Sequence, residues 1–192
     1  MTGLDYDWEF LEDGRTIEPI SVGMVSDDGR TYYAVNARLA AQGWKGRRLR
    51  RRVRKHEWLM ENVIPNLPQP HGDWRLHMPG RWLFNYLDPA VKPIEQIASE
   101  VAEFVRATDD VELWANYGAY DHVCLAQLWG RMIDLPEGVP MFTNDIQQEA
   151  RRLGIGWDQL PKQEGAEHNA LADARHNQTV RRWLAEQEAR TS

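Results

Sequence analysis

The chain holds a single cysteine, Cys124, in 192 residues. An internal disulfide is therefore excluded, and a reducing compartment is the natural setting. No apolar run approaches the ~18 residues that a membrane span requires. The opening stretch, MTGLDYDWEF, carries neither a basic segment nor a long apolar one, so no secretory signal is read there and the cytoplasm is the expected location. There is no internal repeat and no low-complexity tract. Hydrophobic residues nevertheless make up 42% of the chain, with nine Trp, which is too apolar for a disordered protein. Residues 1–192 are expected to form one domain with a sizeable core.

Charge is unevenly spread. The formal net charge is -6, yet residues 45–55, KGRRLRRRVRK, hold eight Lys or Arg and no acid. Outside that segment 15 basic residues face 29 acidic ones. Such a body repels a polyanion, so a nucleic-acid partner would need local positive charge or metal ions. The basic insertion near 44–56 supplies candidates for phosphate contact in Arg47, Arg48, Arg50 and Arg51. The competing reading is a solvated arm that packs on an acidic partner subunit.

Period-two alternation makes residues 3–10, GLDYDWEF, a strand. Leu4, Tyr6, Trp8 and Phe10 take its apolar face, and Asp7 and Glu9 share the other with Cα atoms roughly 7 Å apart. Residues 17–26 and 31–36, joined by Asp27-Asp28-Gly29, read as a hairpin. A short helix follows in HEWLMENVIPNL and ends near Pro65; residues 66–92 read as irregular, with some strand near Trp82–Tyr86. Ile94, Ile97, Val101, Phe104 and Val105 have helical spacing. VELWANYG reads as a strand. AYDHVCLAQLWGRM reads as a helix with Leu125, Leu128, Trp129 and Met132 on its apolar line. MFTNDIQQEARRLG reads as a short strand and a helix, and the last helix is N-capped by Asn169. The order predicts an α/β fold with a mixed five-stranded sheet flanked by helices.

Strand ends and helix starts are where sites gather in α/β sheets. Asp7 and Glu9 lie on a strand, Asp121 at a helix start facing inward, His168 just before the last helix and Asp173 within it. Singly, each has an ordinary explanation. A surface Asp-x-Glu pair is common, and an acid in a first helical turn gains ~0.3–1 kcal/mol from the macrodipole. As a set they are far more specific.

Asp-x-Glu on the first strand, a later Asp at a helix start and a final His-x4-Asp resemble the pattern of the DEDDh 3′–5′ exonucleases. DWEFLEDGRTIEPISVGMV, ELWANYGAYDHV, PMFTNDI and HNALADAR are most similar to the polyadenylate-specific exoribonucleases called RNase AS, related to RNase T. The similarity spans residue 4 to about 185. It implies a ribonuclease H-like fold, two Mg²⁺ ions (or Mn²⁺), and release of 5′-nucleotides from the 3′ ends of single-stranded or 3′-overhanging, A-rich RNA. By the same resemblance Asp7 would bridge the ions, Glu9 and Asp173 would complete the first, Asp121 would act through water at the second, and His168 would be the general base. RNase T-type relatives imply a homodimer.

Physical chemistry agrees with that assignment. Each carboxylate pair at 4 Å costs about 4 kcal/mol at an effective dielectric of 20, so four clustered acids need cations or protons. Mg²⁺ prefers oxygen ligands, and a histidine with a pKa near 6.5 suits proton removal near neutrality. Trp8 stands where the family usually has Thr, and by parity it points away from the acids. Trp44, Trp58, Trp74, Trp82 and Trp114 include candidates for base stacking, though core packing is the commoner role. Cys124 reads as a buried apolar residue. His122 turns about 100° from Asp121, and His56, His71, His77 and His176 have no ligand spacing. A DNA exonuclease and a catalytically inactive RNA-binding protein remain the alternatives.

Overall fold

The polypeptide opens with an antiparallel meander of Thr2–Glu12 (β1), Ile17–Ser26 (β2) and Thr31–Asn36 (β3). These bounds come from a computed structural model that describes residues 1–70, 82 and 84–191. The β2–β3 turn uses Gly29 at φ 88°, the left-handed backbone that Asp-Gly turns require. Two helices follow, Trp44–Val53 (α1) and Glu57–Asn62 (α2). Val91–Lys92 (β4), Ile94–Arg106 (α3), Val111–Ala115 (β5) and Ala119–Gln127 (α4) come next. Asn144–Asp145 (β6), Ile146–Arg152 (α5) and Ala170–Thr191 (α6) complete the chain.

The sheet order is β4-β3-β2-β1-β5-β6. It has six strands, not the expected five. The additional one, β4, is two residues long and pairs in parallel with Val35 and Asn36 of β3. A bridge that short has no alternation to detect, and only tertiary placement creates it. The basic stretch is helical and partly core: Leu49 and Val53 of α1 are buried in one cluster with Leu39, Leu59 and Ile64 among others. The helix after β5 stops at Gln127, so Met132 lies exposed beyond it. Trp82, Phe84, Asn85 and Tyr86 are not in a strand. The readings made on Trp74, His71 and His77 lie outside the described residues.

Each sheet face buries its own core. Leu4, Tyr6 and Trp8 meet Val101 and Val105 of α3 and Leu125 of α4, with Cys124 fully buried among them. Trp8 thus packs away from the acids, as parity requires. On the other face Leu11, Ile20 and Val35 meet α1 and α2, and the start of α6 presses on β2. Gly23 makes that approach possible, since a Cβ there would collide with the backbone of Ala170 and Leu171.

One buried ion pair pins α6 to β1. Arg181 donates from Nε to Asp5 Oδ1 at 2.9 Å and from Nη2 to Asp5 Oδ2 at 2.8 Å. It reaches Asp27 Oδ1 at 2.6 Å as well. Asp5 is completely buried, so removing its partner leaves a desolvated carboxylate. Arg181→Ala is expected to lower stability by about 3–5 kcal/mol, read from urea unfolding. Asp5→Asn/Arg181→Met, which removes both charges, is expected to cost less than Arg181→Ala alone.

Candidate active site

The site grows from a split in the sheet. β1 pairs with β5 only over Thr2–Asp5; beyond Asp5 the backbone of β1 has no β5 partner. α4 starts in that gap, and Asp121 in its first turn accepts a hydrogen bond from the Trp8 backbone N–H at 2.8 Å. The turn before α4 is fixed by Gly118 N–H donating to Asp145 Oδ2 at 2.7 Å. Opposite, Asp7 and Glu9 align with Gly23 and Ser21 of β2. Where β2 lacks a side chain at Gly23, the first turn of α6 brings in Asp173. A bulge after Glu9 bends β1 away and opens the cleft beside it.

His168 enters from a constrained segment. Gly165, Ala166 and His168 all adopt positive φ, at 76°, 54° and 64°, which is costly for the two non-glycine residues. Asn66 clasps the loop on both sides of the histidine. Its Nδ2 donates to the Glu167 carbonyl at 2.9 Å, and its own carbonyl accepts from Asn169 Nδ2 at 2.9 Å. Asn169 also caps α6, accepting from Ala172 N–H at 3.2 Å. The His168 ring lies edge-on to Trp58 of α2, with centroids 4.7 Å apart.

Asp7, Glu9, Asp121, His168 and Asp173 all line one cleft of about 420 Å³. Glu9, His168 and Asp173 offer ligand atoms within 4.8 Å of one another; Asp7 and Asp121 stand beside this trio in the same cleft. Among the described residues no lysine or arginine lines it. The carboxyls are accordingly pushed toward protonation. Burial raises Asp7 well above the ordinary range, and Asp121, Glu9 and Asp173 add to it. Burial and then Asp173 and Asp121 push Glu9 up to about 8. Asp121 rises to about 7, chiefly through burial, although the Trp8 N–H opposes the shift. Burial also raises Asp173, against a hydrogen bond from Gln163 Nε2 at 2.7 Å. Clustered hard oxygen donors with this unmet charge fit a divalent cation.

Sequence reasoning passed over Gln163 and His176, both of which line the cleft. His176 follows Asp173 by three residues on α6, a same-face spacing that would have found it. Gln163 sits in a loop and carries no periodic signal. Of the tryptophans, Trp58 touches His168, Trp44 is exposed, and Trp82 and Trp114 pack partly buried against core clusters. His56 caps α2. His122 meets the Tyr6 hydroxyl at 3.4 Å and does not line the cleft. On α1, Arg50 donates to the carbonyls of Leu39 and Ala41 at 3.1 and 2.7 Å, whereas Arg47, Arg48 and Arg51 are exposed.

A family model described as the 3′–5′ exoribonuclease Rv2179c-like domain matches residues 2–184. The chain belongs to that family. It is 40% identical over 173 residues to the 3′–5′ exoribonuclease Rv2179c of Mycobacterium tuberculosis strain H37Rv, covering 88% of this chain and 85% of the relative. The corresponding protein of strain CDC 1551, 3′–5′ exoribonuclease MT2234.1, matches to the same extent. The cleft is therefore the candidate active site of a 3′–5′ exoribonuclease, and RNA is its substrate. Among the described residues no helix is long and apolar enough to cross a membrane.

Two expectations follow from the electrostatics and the clasp. Because the acids are raised in the fold, the native state holds more protons than the unfolded chain above about pH 4.5, and stability falls with rising pH at least to about 8, where Glu9 titrates. His122 and His176, lowered by burial from 6.5, act in the opposite sense but only in the more acidic range. Between pH 7 and 8 the melting temperature in EDTA is expected to drop, and Mg²⁺ to restore most of the loss; an unchanged melting temperature would contradict the buried-acid account. Asn66→Ala is expected to speed amide hydrogen exchange at residues 166–169 at least tenfold while α3 exchanges as before.

Proposed function

We propose that the enzyme is a divalent-metal-dependent exonuclease of the DEDDh type with a ribonuclease H-like fold, close to RNase AS. It removes 5′-nucleotides from single-stranded or 3′-overhanging, A-rich RNA. The observation that carries this reading is a cleft lined by Asp7, Glu9, Asp121, Asp173 and His168 with no lysine or arginine among its described lining residues. An acidic surface of this kind accepts a phosphodiester only with cations present.

In this reading Asp7, Glu9, Asp121 and Asp173 hold two Mg²⁺ ions, with Mn²⁺ as a substitute. Bound there, the metal supplies the Lewis acidity that favours water as a nucleophile and steadies charge on the scissile phosphate. The chain's own residues do the rest. His168 accepts the proton of the attacking water at an imidazole nitrogen. Asn66 holds the residues on either side of that histidine, and Trp58 packs edge-on against its ring. Gln163 orients Asp173 through its 2.7 Å hydrogen bond. Tyr117 and Tyr120, both exposed on the cleft wall, offer faces for the terminal base. The proposed assembly is a homodimer, which light scattering tests directly.

The deciding assay uses 5′-labelled A20 RNA and its DNA equivalent, with Mg²⁺ or with EDTA. A Mg²⁺-dependent ladder shortening from the 3′ end on RNA alone is the expected result; equal loss of DNA would point to a general exonuclease. Asp7→Ala is expected to abolish degradation, and His168→Ala to lower kcat about 10²–10⁴-fold. Undiminished activity in Asp7→Ala would overturn the site assignment.

A further inference from the structure

The tip of the β1–β2 hairpin and the outer side of α1 enclose a second cleft of about 570 Å³, separate from the acidic one. Its charge is the reverse. Arg15, Arg38, Lys45, Arg48 and Arg52 line it, against Asp13 and Glu18. Both carboxylates are already engaged by Arg52, whose Nη2 lies 2.9 Å from Asp13 and whose Nη1 lies 3.1 Å from Glu18. That leaves four cations with no carboxylate of their own. Among the described residues the guanidinium groups of Arg15, Arg38 and Arg48 make no hydrogen bond or ion pair, and all three side chains are exposed. Trp44 forms another wall, 64% exposed, with Lys45 Nζ 5.8 Å from its ring centroid.

Unpaired cations crowded on a protein of net charge -6 repel one another and are ill-explained by packing. An anionic chain relieves that repulsion. The placement selects which chain. Phe10 lines the acidic cleft, and Asp13 at the basic cleft is four residues along from Glu9, about 13 Å at ~3.3 Å per residue. α1 leads directly into α2, whose Trp58 touches His168. Two short stretches of chain thus connect the clefts.

We propose that this basic cleft is an exosite for the backbone phosphates of the RNA body, upstream of the 3′ end held among the acids. Arg38 and Arg48 contact phosphates, and Trp44 presents its indole to a base. The proposal deepens the exoribonuclease reading, and its consequence is a preference for RNA long enough to reach both clefts. Arg50 and Arg52 are excluded from this role, because the fold already uses their guanidinium groups.

Binding in EDTA separates this idea from catalysis. Fluorescence anisotropy would measure the affinity of labelled A20 and A4 RNA for the wild type, for Arg38→Gln/Arg48→Gln, and for Arg151→Gln/Arg190→Gln as a control of equal charge change. The wild type is expected to favour A20, and Arg38→Gln/Arg48→Gln to lose about tenfold on A20. The slope of log affinity against log salt should fall by about 1.4, two single-strand contacts at ~0.7 each. The control should keep its A20 preference. An unchanged A20 affinity and salt slope would overturn the proposal, as would equal losses in the control. A change of molecular mass with A20 affinity intact would assign the cleft to a protein interface instead. Because no cleavage is required, failure of the degradation assay would leave this test standing on its own.

Discussion

Three carboxylates on one face of one strand organise this molecule. Asp5, Asp7 and Glu9 alternate along β1 and all turn toward the side covered by α6. Only the first is neutralised, by Arg181 from the body of that helix. The other two lie under its first turn, where the chain supplies a fourth acid, Asp173, and, among the described residues lining the cleft, no lysine or arginine. The same helix therefore does opposite things at its middle and at its start. Its middle locks the fold with a buried ion pair, and its start assembles a cluster whose charges oppose one another.

Precision in the cluster comes from backbone contacts more than from side-chain packing. Gly23 lets the start of α6 settle on β2, and the Trp8 N–H fixes Asp121 where β5 no longer pairs with β1. The histidine segment is held by Asn66, which reaches one residue to either side of His168. These restraints are short, directional and independent. A rigid strand carries two acids, a helix start carries each of the others, and a loop in left-handed backbone carries the group expected to move a proton. This division follows the general need for fixed ligands.

Much of this was legible in the sequence because it follows local periodicity. Alternation placed Leu4, Tyr6 and Trp8 opposite Asp7 and Glu9, and the hairpin ends fall at Ser26 and Thr31 as the Asp-Asp-Gly turn implies. Asn169 as a helix cap was equally readable. What escaped depends on contacts between distant segments. β4 exists only because Val91 and Lys92 meet the end of β3, and Asn66 matters only through residues a hundred positions away. The basic run was conspicuous by composition, but composition does not distinguish Arg50, which closes carbonyls of the preceding turn, from Arg48, which closes none. The five residues named from the sequence share one cleft; His176, three residues after Asp173, could have been added from helical spacing, whereas Gln163, in a loop, required the fold.

The unequal charge distribution acquires a physical sense from this geometry. An acidic cleft repels the phosphates it must act on, and cations cancel that repulsion only within a few ångströms, since exposed charges are screened beyond ~10 Å at 0.1 M salt. Attraction for the remainder of a polyanion has to come from elsewhere on the surface. Arginines spread around the body would attract RNA in unproductive orientations. Concentrated on α1, which continues into the helix that touches His168, they favour approach from one side. The rest of the body, with its excess of acids, disfavours the others. On the proposed exosite reading, orientation follows from the field before any base is read.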